Sequence, residues 1–205
     1  GDDYAKLAGM SEEADLEESL AESIKKRLPW LVVLLGLSLC VSTVTGMFEN
    51  VISHLAIIVS FQSLILGMSG NVGTQSLAVT IRVLMDEDLS AGQKWSLVFK
   101  EARIGFCNGL MLGILAFAFI GTYVCLFKGR GVQYAFSISA CAGIALMLAM
   151  TISSVVGTVV PMFFHKVKVD PAVASGPLIS TVNDFVAVVT YYGLAWILLI
   201  RVLHL

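Results

Sequence analysis

Apolar residues in this chain come in five long runs, about 28–47, 52–85, 104–127, 132–164 and 178–203, separated by short clusters of charge. Each reaches the roughly 20 residues that a helix needs to cross a hydrocarbon core. Apolarity within a run is continuous, whereas a strand of a membrane barrel would alternate apolar and polar positions over a short segment. The runs therefore predict helices. The second run is too long for one straight crossing and must tilt, break or project beyond the bilayer. The pattern predicts an all-α integral membrane protein with five transmembrane helices per protomer, preceded by a cytoplasmic amphipathic helix.

Polar and small residues inside the runs fall on single helical faces, which in a bilayer normally meet other helices or a water-filled path. In the second run Ser63, Gly67, Asn71 and Gln75 recur every four residues, with Ser60, Gly70 and Thr74 beside them. The stretch "GMSGNVGTQS" holds Gly67, Gly70 and Gly73 together, and these glycines permit a local unwinding. Irregular backbone at membrane depth is tolerated only where it is buried in protein or lines a hydrated cavity. Asn71, Thr74 and Gln75 would add neutral oxygens and amides there. Gly105, Gly109 and Gly113 in the third run read as a tight helix-packing stripe, and the fourth run carries Thr151, Ser154, Thr158 and Pro161 on one side. The last run places Gly176, Ser180 and Asp184 at one spacing, with Thr181 adjacent.

Charge then orients the chain. Residues are 57% hydrophobic and 14% charged, against about 25% charged in a soluble domain, and the mean hydropathy is +0.87. Lys6, Lys25, Lys26, Arg27, Arg82, Lys94, Lys100, Arg103, Lys166 and Lys168 fall on one side of the predicted topology, and only Lys128, Arg130 and Arg201 on the other. The excess marks the cytoplasmic side, so a multi-pass protein of the cell membrane is expected, with its N-terminus cytoplasmic and its C-terminus outside. Residues 1–27 are acidic first and basic last, the order that the helix dipole favours. They read as a cytoplasmic connecting helix leading to a pore domain over 28–205, and the abrupt start suggests a piece of a longer protein. Cys40, Cys107, Cys125 and Cys141 lie inside the runs at no ligand-like spacing and read as small buried hydrophobes.

Asp184 is the residue that packing does not explain. It lies seven residues beyond Pro177, roughly 10 Å into the membrane along a helix, where a carboxylate costs about 2.5–3.5 kcal/mol. No Lys or Arg lies at that depth to pair with it. One reading is hydrogen bonding to a neighbouring helix or protonation; the other is a hydrated cation path. Glu49, at the outer end of the first run, reaches the headgroups. A single carboxylate among neutral oxygens suits a hard cation that keeps most of its water, of which Mg²⁺ is the extreme case. A softer metal would want His or Cys on these faces, and His54, His165 and His204 sit at the ends of runs instead.

"GNVGTQS" in a long second span, followed by "VDPAVASGPLISTVNDF" opening the fifth, resembles the membrane domain of the MgtE family of magnesium channels. "AKLAGM" and the acidic helix before "KKRLPW" resemble that family's connecting, or plug, helix. The resemblance covers nearly the whole chain and rests on both motifs in order. It implies a homodimer with a pore on the two-fold axis, lined mainly by the second and fifth helices, with Mg²⁺ as the transported ion and as a regulatory ligand. It implies an ion site at Asp184, with Ser180 and Gly176 one and two steps toward the cytoplasm. Gly67, Gly70, Asn71, Gly73, Thr74 and Gln75 would serve on the second helix. Asp170 matches an acidic position near the family's cytoplasmic regulatory sites; Glu12, Glu13 and Glu17 of the acidic helix read either as solvated surface charge or as further ligands of a Mg²⁺ bridging that helix to Asp170. The family's soluble helical and CBS domains are not in this chain, and at Gly176 only backbone is available.

The lipid bilayer and a second copy are thus the expected partners, with no nucleic acid. A secondary transporter of another divalent cation or small solute stays open as an alternative, although no internal repeat supports it. An intramembrane enzyme would need a second acid, base or metal near Asp184, and none is expected.

Overall fold

The computed structural model describes residues 18–86, 89–168, 170 and 176–204. Among these residues there is no strand, and five helical segments are long and apolar enough to cross a membrane. Helix α1 is Leu20–Met47. A short helix α2 (Glu49–His54) and a 3₁₀ turn (Ala56–Ile58) lead into α3, Val59–Asp86. Helices α4 (Ala91–Lys128) and α5 (Val132–Lys166) follow. The last segment is α6, Gly176–Ala195, which widens into a π-helical stretch over Trp196–Val202.

The long second run does break, but at its N-terminal end. Backbone regularity is lost between His54 and Ile58, and the Tyr191 hydroxyl donates to the Ile58 carbonyl at 2.8 Å. A side chain from α6 is thus tied to the backbone where α3 begins, as a second donor to a carbonyl that also opens the helix. The unwinding that Gly67, Gly70 and Gly73 permit does not occur. Helix α3 is regular through all three, and Thr74 turns its hydroxyl onto the Gly70 and Asn71 carbonyls. Of the three, Gly73 is the one that packing requires: a Cβ on it would fall on the Asn183 amide, and its carbonyl lies where a Cβ on Gly157 of α5 would fall.

Helix α4 starts at Ala91, well before the apolar run at 104, because Ser90 and Gln93 form a reciprocal N-terminal cap. Its packing stripe is as expected. A Cβ on Gly109 would sit 2.9 Å from Met147 Cα, and one on Gly113 2.7 Å from the Gly143 carbonyl oxygen. Only glycines let α4 and α5 close to that distance. Helix α5 is the most buried span and forms the centre of the bundle, with α3, α4 and α6 packed on it. Helix α1 packs chiefly on α6 and has no buried residue. Its N-terminus is capped by Ser19 and Glu22, and Glu18 pairs with Lys26.

The cysteines divide. Cys141 is buried, Cys125 half-buried, and Cys40 and Cys107 exposed, which corrects the expectation that all four are buried. The latter two lie on outer faces of α1 and α4, where a small apolar side chain can face lipid at no cost. Glu49 is exposed at the start of α2, as a residue reaching headgroups should be.

Candidate ion site

Helix α6 presents Asp184 to a polar cavity of about 370 Å³ between α1, α3 and α6. Its walls are Asp184 and Thr181 of α6, Gln62 and Leu66 of α3, and Ser38, Val41, Ser42 and Thr45 of α1. One carboxylate therefore faces an amide and four hydroxyls. Two of those hydroxyls are already engaged: Thr181 donates to the Pro177 carbonyl at 2.9 Å and Thr45 to the Val41 carbonyl at 3.0 Å. Both oxygens keep a lone pair for a further donor, such as a water. Gln62 is held in turn, its Oε1 accepting from Tyr192 at 2.5 Å. Tyr192 stacks on Phe48, with ring centroids 5.8 Å apart. Among the described residues no three His, Cys, Asp or Glu side chains cluster tightly enough to hold a bare metal ion. The donor set fits an ion that arrives with its water.

The residues expected around Asp184 separate into two groups. Ser180 and Gly70 approach each other: a Cβ on Gly70 would lie 3.8 Å from Ser180 Oγ. Gly176 opens α6, half-buried. Gly73 lies against Asn183, the neighbour of Asp184. Asn71 and Gln75 instead turn to a second cavity of about 410 Å³, shared with Asn108 of α4 and Met68, Met111 and Met150. Gly67 is exposed, with open space where a Cβ would be. The exposed strip of α3 thus runs through Ser63, Gly67, Asn71 and Gln75, the face read from the sequence. Asp170 is exposed before α6. Glu12, Glu13 and Glu17 lie outside the described residues.

Three features escaped the sequence reading. The hydroxyls of α1 join the Asp184 cavity; their spacing, Ser38, Ser42 and Thr45, was the available signal. Asn183 is fully buried, with neither side-chain polar atom hydrogen-bonded to another described residue. Glu101, assigned to a connection, lies inside α4 and is 4% exposed.

Residues 62–194 match a family model described as MgtE, divalent cation transporter. A magnesium transporter MgtE of Enterococcus faecalis is 34% identical over 94% of this chain and 40% of its own length. That of Bacillus subtilis is 33% identical over 95% of the chain and 41% of its own length. The Thermus thermophilus protein of the same name is 30% identical over 84% of the chain and 36% of its own length. The chain spans about two fifths of the length of these relatives.

Proposed function

The chain belongs to the MgtE family of divalent cation transporters, and on that premise we propose that it conducts hydrated Mg²⁺ through a pore between two copies of itself. The family is one of transporters and not of enzymes. The observation that carries the reading is the Asp184 cavity: one membrane-embedded carboxylate among neutral oxygens, wide enough for an ion with water around it. Mg²⁺ dehydrates reluctantly and uses few protein ligands, so one charge and a ring of hydrogen-bonding groups suit it. Asp184 supplies the attraction; Ser180, Thr181 and Gln62 hold the ion's water. Gly176 contributes backbone at the cytoplasmic end of α6.

The second copy accounts for the strip of α3. Ser63, Gly67, Asn71 and Gln75 are exposed in the single chain, and a polar strip facing lipid is costly. Covering it with the same strip of a partner supports a homodimer in which Gly67, Gly70, Asn71, Gly73, Thr74 and Gln75 lie along or behind the ion path. The excess of Lys and Arg on one side supports a cytoplasmic N-terminus and an outer C-terminus. Residues 1–27 then form the connecting segment and 28–205 the pore domain, with cytosolic regulatory domains elsewhere in the full-length protein. Mg²⁺ bound between that segment and Asp170 would bias the pore toward closure.

The test is Mg²⁺ uptake by liposomes containing the purified chain, with the Asp184→Asn variant alongside. Uptake by the native chain and its loss in the variant support the reading. Equal uptake by both removes Asp184 from the path.

A further inference from the structure

Glu101 is a buried carboxylate that the ion path does not use. It sits where three helices meet, and its partners come from the other two. The Ser76 hydroxyl of α3 donates to Glu101 Oε2 at 2.9 Å. The Ser154 hydroxyl of α5 donates to the Glu101 main-chain carbonyl at 2.8 Å. The two hydroxyls lie 2.7 Å apart. Close approach makes the junction: a Cβ on Gly105, one turn along α4, would lie 2.7 Å from Ser154 Cβ. Ser76 and Ser154 are themselves fully or almost fully buried.

We propose that Glu101 is a positioning residue for the ion path, setting the rotation of α3 about its own axis through Ser76. The inference rests on the Mg²⁺ reading above and deepens it. Ser76 directly follows Gln75 and Thr74, so the angle at which Ser76 meets Glu101 fixes which way the preceding turn faces. Apolar packing would hold the three helices together without a carboxylate, and burying one is expensive. Packing of small residues alone leaves a helix free to roll by a fraction of a turn. A hydroxyl donating to a fixed acceptor does not, because hydrogen bonds weaken steeply with misalignment. Ser69 makes a second anchor two turns away, with its hydroxyl 2.5 Å from that of Ser153 of α5. Ser69 and Ser76 are seven residues apart and share one face, so both anchors oppose the same roll.

The experiment reads rotation and transport separately. A Cβ on Gly70 would lie 3.9 Å from Ser180 Cβ, inside the range a disulfide spans. In a background with the four native cysteines replaced, Gly70→Cys with Ser180→Cys should cross-link on oxidation. Adding Glu101→Leu should slow cross-linking at least fivefold. Adding Glu101→Gln, which keeps an acceptor for Ser76, should leave it within twofold. On the otherwise native chain, Glu101→Leu and Ser76→Ala should each lower maximal Mg²⁺ flux per folded molecule severalfold. The double variant should lose no more than Glu101→Leu alone. Should Glu101→Leu fail to fold, Ser76→Ala carries both readouts. Native cross-linking in Glu101→Leu and Ser76→Ala overturns the inference, whatever ion the protein moves. So do additive flux losses. Normal flux in Asp184→Asn with slowed cross-linking in Glu101→Leu would instead remove the proposed path and leave the rotational anchor standing.

Discussion

Gly73 lies directly against the side-chain amide of Asn183, with its Cα facing the nitrogen and no room between them for a methyl group. The contact joins the glycine-rich turn of α3 to the residue beside Asp184. Ile179 Cγ2, 3.3 Å from the same Cβ position, closes the pocket from the other side. Gly73→Ala is therefore expected to destabilise the protein by about 1–3 kcal/mol through overpacking. Asn183→Ala in the same chain should recover a large part of that loss. Thermal unfolding in detergent of both single variants and the pair checks this; no recovery in the pair would disprove the contact.

The three glycines should differ in tolerance. An added methyl meets nothing within 4 Å at Gly67 and only an ordinary contact with Ser180 at Gly70. Gly70→Ala should keep stability within about 0.5 kcal/mol of the native chain; Gly67→Ala should do so in the single chain, any larger loss reporting its contact with the second copy. Gly70→Val, which pushes a branched side chain toward Ser180, should abolish flux more severely than Asn71→Ala. Normal conduction by Gly70→Val would show that close approach at this position is not required.

Asp184→Asn should be nearly as harmful as Asp184→Ala, since charge and not packing is what the cavity supplies. Both should lose at least tenfold in Mg²⁺ uptake, a difference of about 1.4 kcal/mol, while remaining membrane-inserted. Uptake is best measured with an ion-sensitive dye inside the liposomes, after normalising for incorporated protein.

Tyr191→Phe removes the donor to the Ile58 carbonyl at the break before α3 and keeps the ring. Hydrogen bonds between membrane helices average about 0.6 kcal/mol and reach about 1.7. The middle of that range is expected here, because the Ile58 carbonyl also opens α3 and keeps its helical donor. A fall of a few degrees in the unfolding midpoint would agree, and an unchanged midpoint would show that another donor takes over.

Asp170→Asn, placed in a chain carrying the cytosolic domains, should make currents less sensitive to millimolar cytosolic Mg²⁺ without changing the conductance of an open channel. A ligand biases a pore only by binding one state better, so the closed state must hold the ion more tightly. Undiminished Mg²⁺ inhibition in patches from the variant would assign Asp170 to ordinary solvated surface.

The five spans were legible because lipid imposes a simple rule: long apolar runs are helices; Asp184 draws attention by the same rule, since a charge among them is expensive. The glycine stripe of α4 was legible for a similar reason, since a four-residue spacing of small residues has one main use. The glycine-rich turn misled, because glycine permits both a break and a close contact, and at Gly73 it took Asn183 to choose between them. Glu101 was missed through a boundary. A connection was assigned wherever charge appeared, yet Ser90 and Gln93 cap a helix that begins thirteen residues earlier than its apolar part. Asn71 and Gln75 share the expected face, but which cavity they meet depends on where α4 puts Asn108.

The length of α4 bears on the lipid around the protein. Its 38 residues extend roughly 57 Å, nearly twice the hydrocarbon thickness of about 30 Å. The surplus lies at the Ala91 end, where the exposed rings of Trp95 and Phe99 stand 6.5 Å apart in the kind of aromatic band that favours the headgroup layer. The same surplus carries Lys94, Lys100 and Arg103, which would be costly to immerse, so it stands in the headgroup layer and beyond it. Rings and charges at one end of a single rod thus hold the depth of the bundle in the membrane, away from the Asp184 cavity.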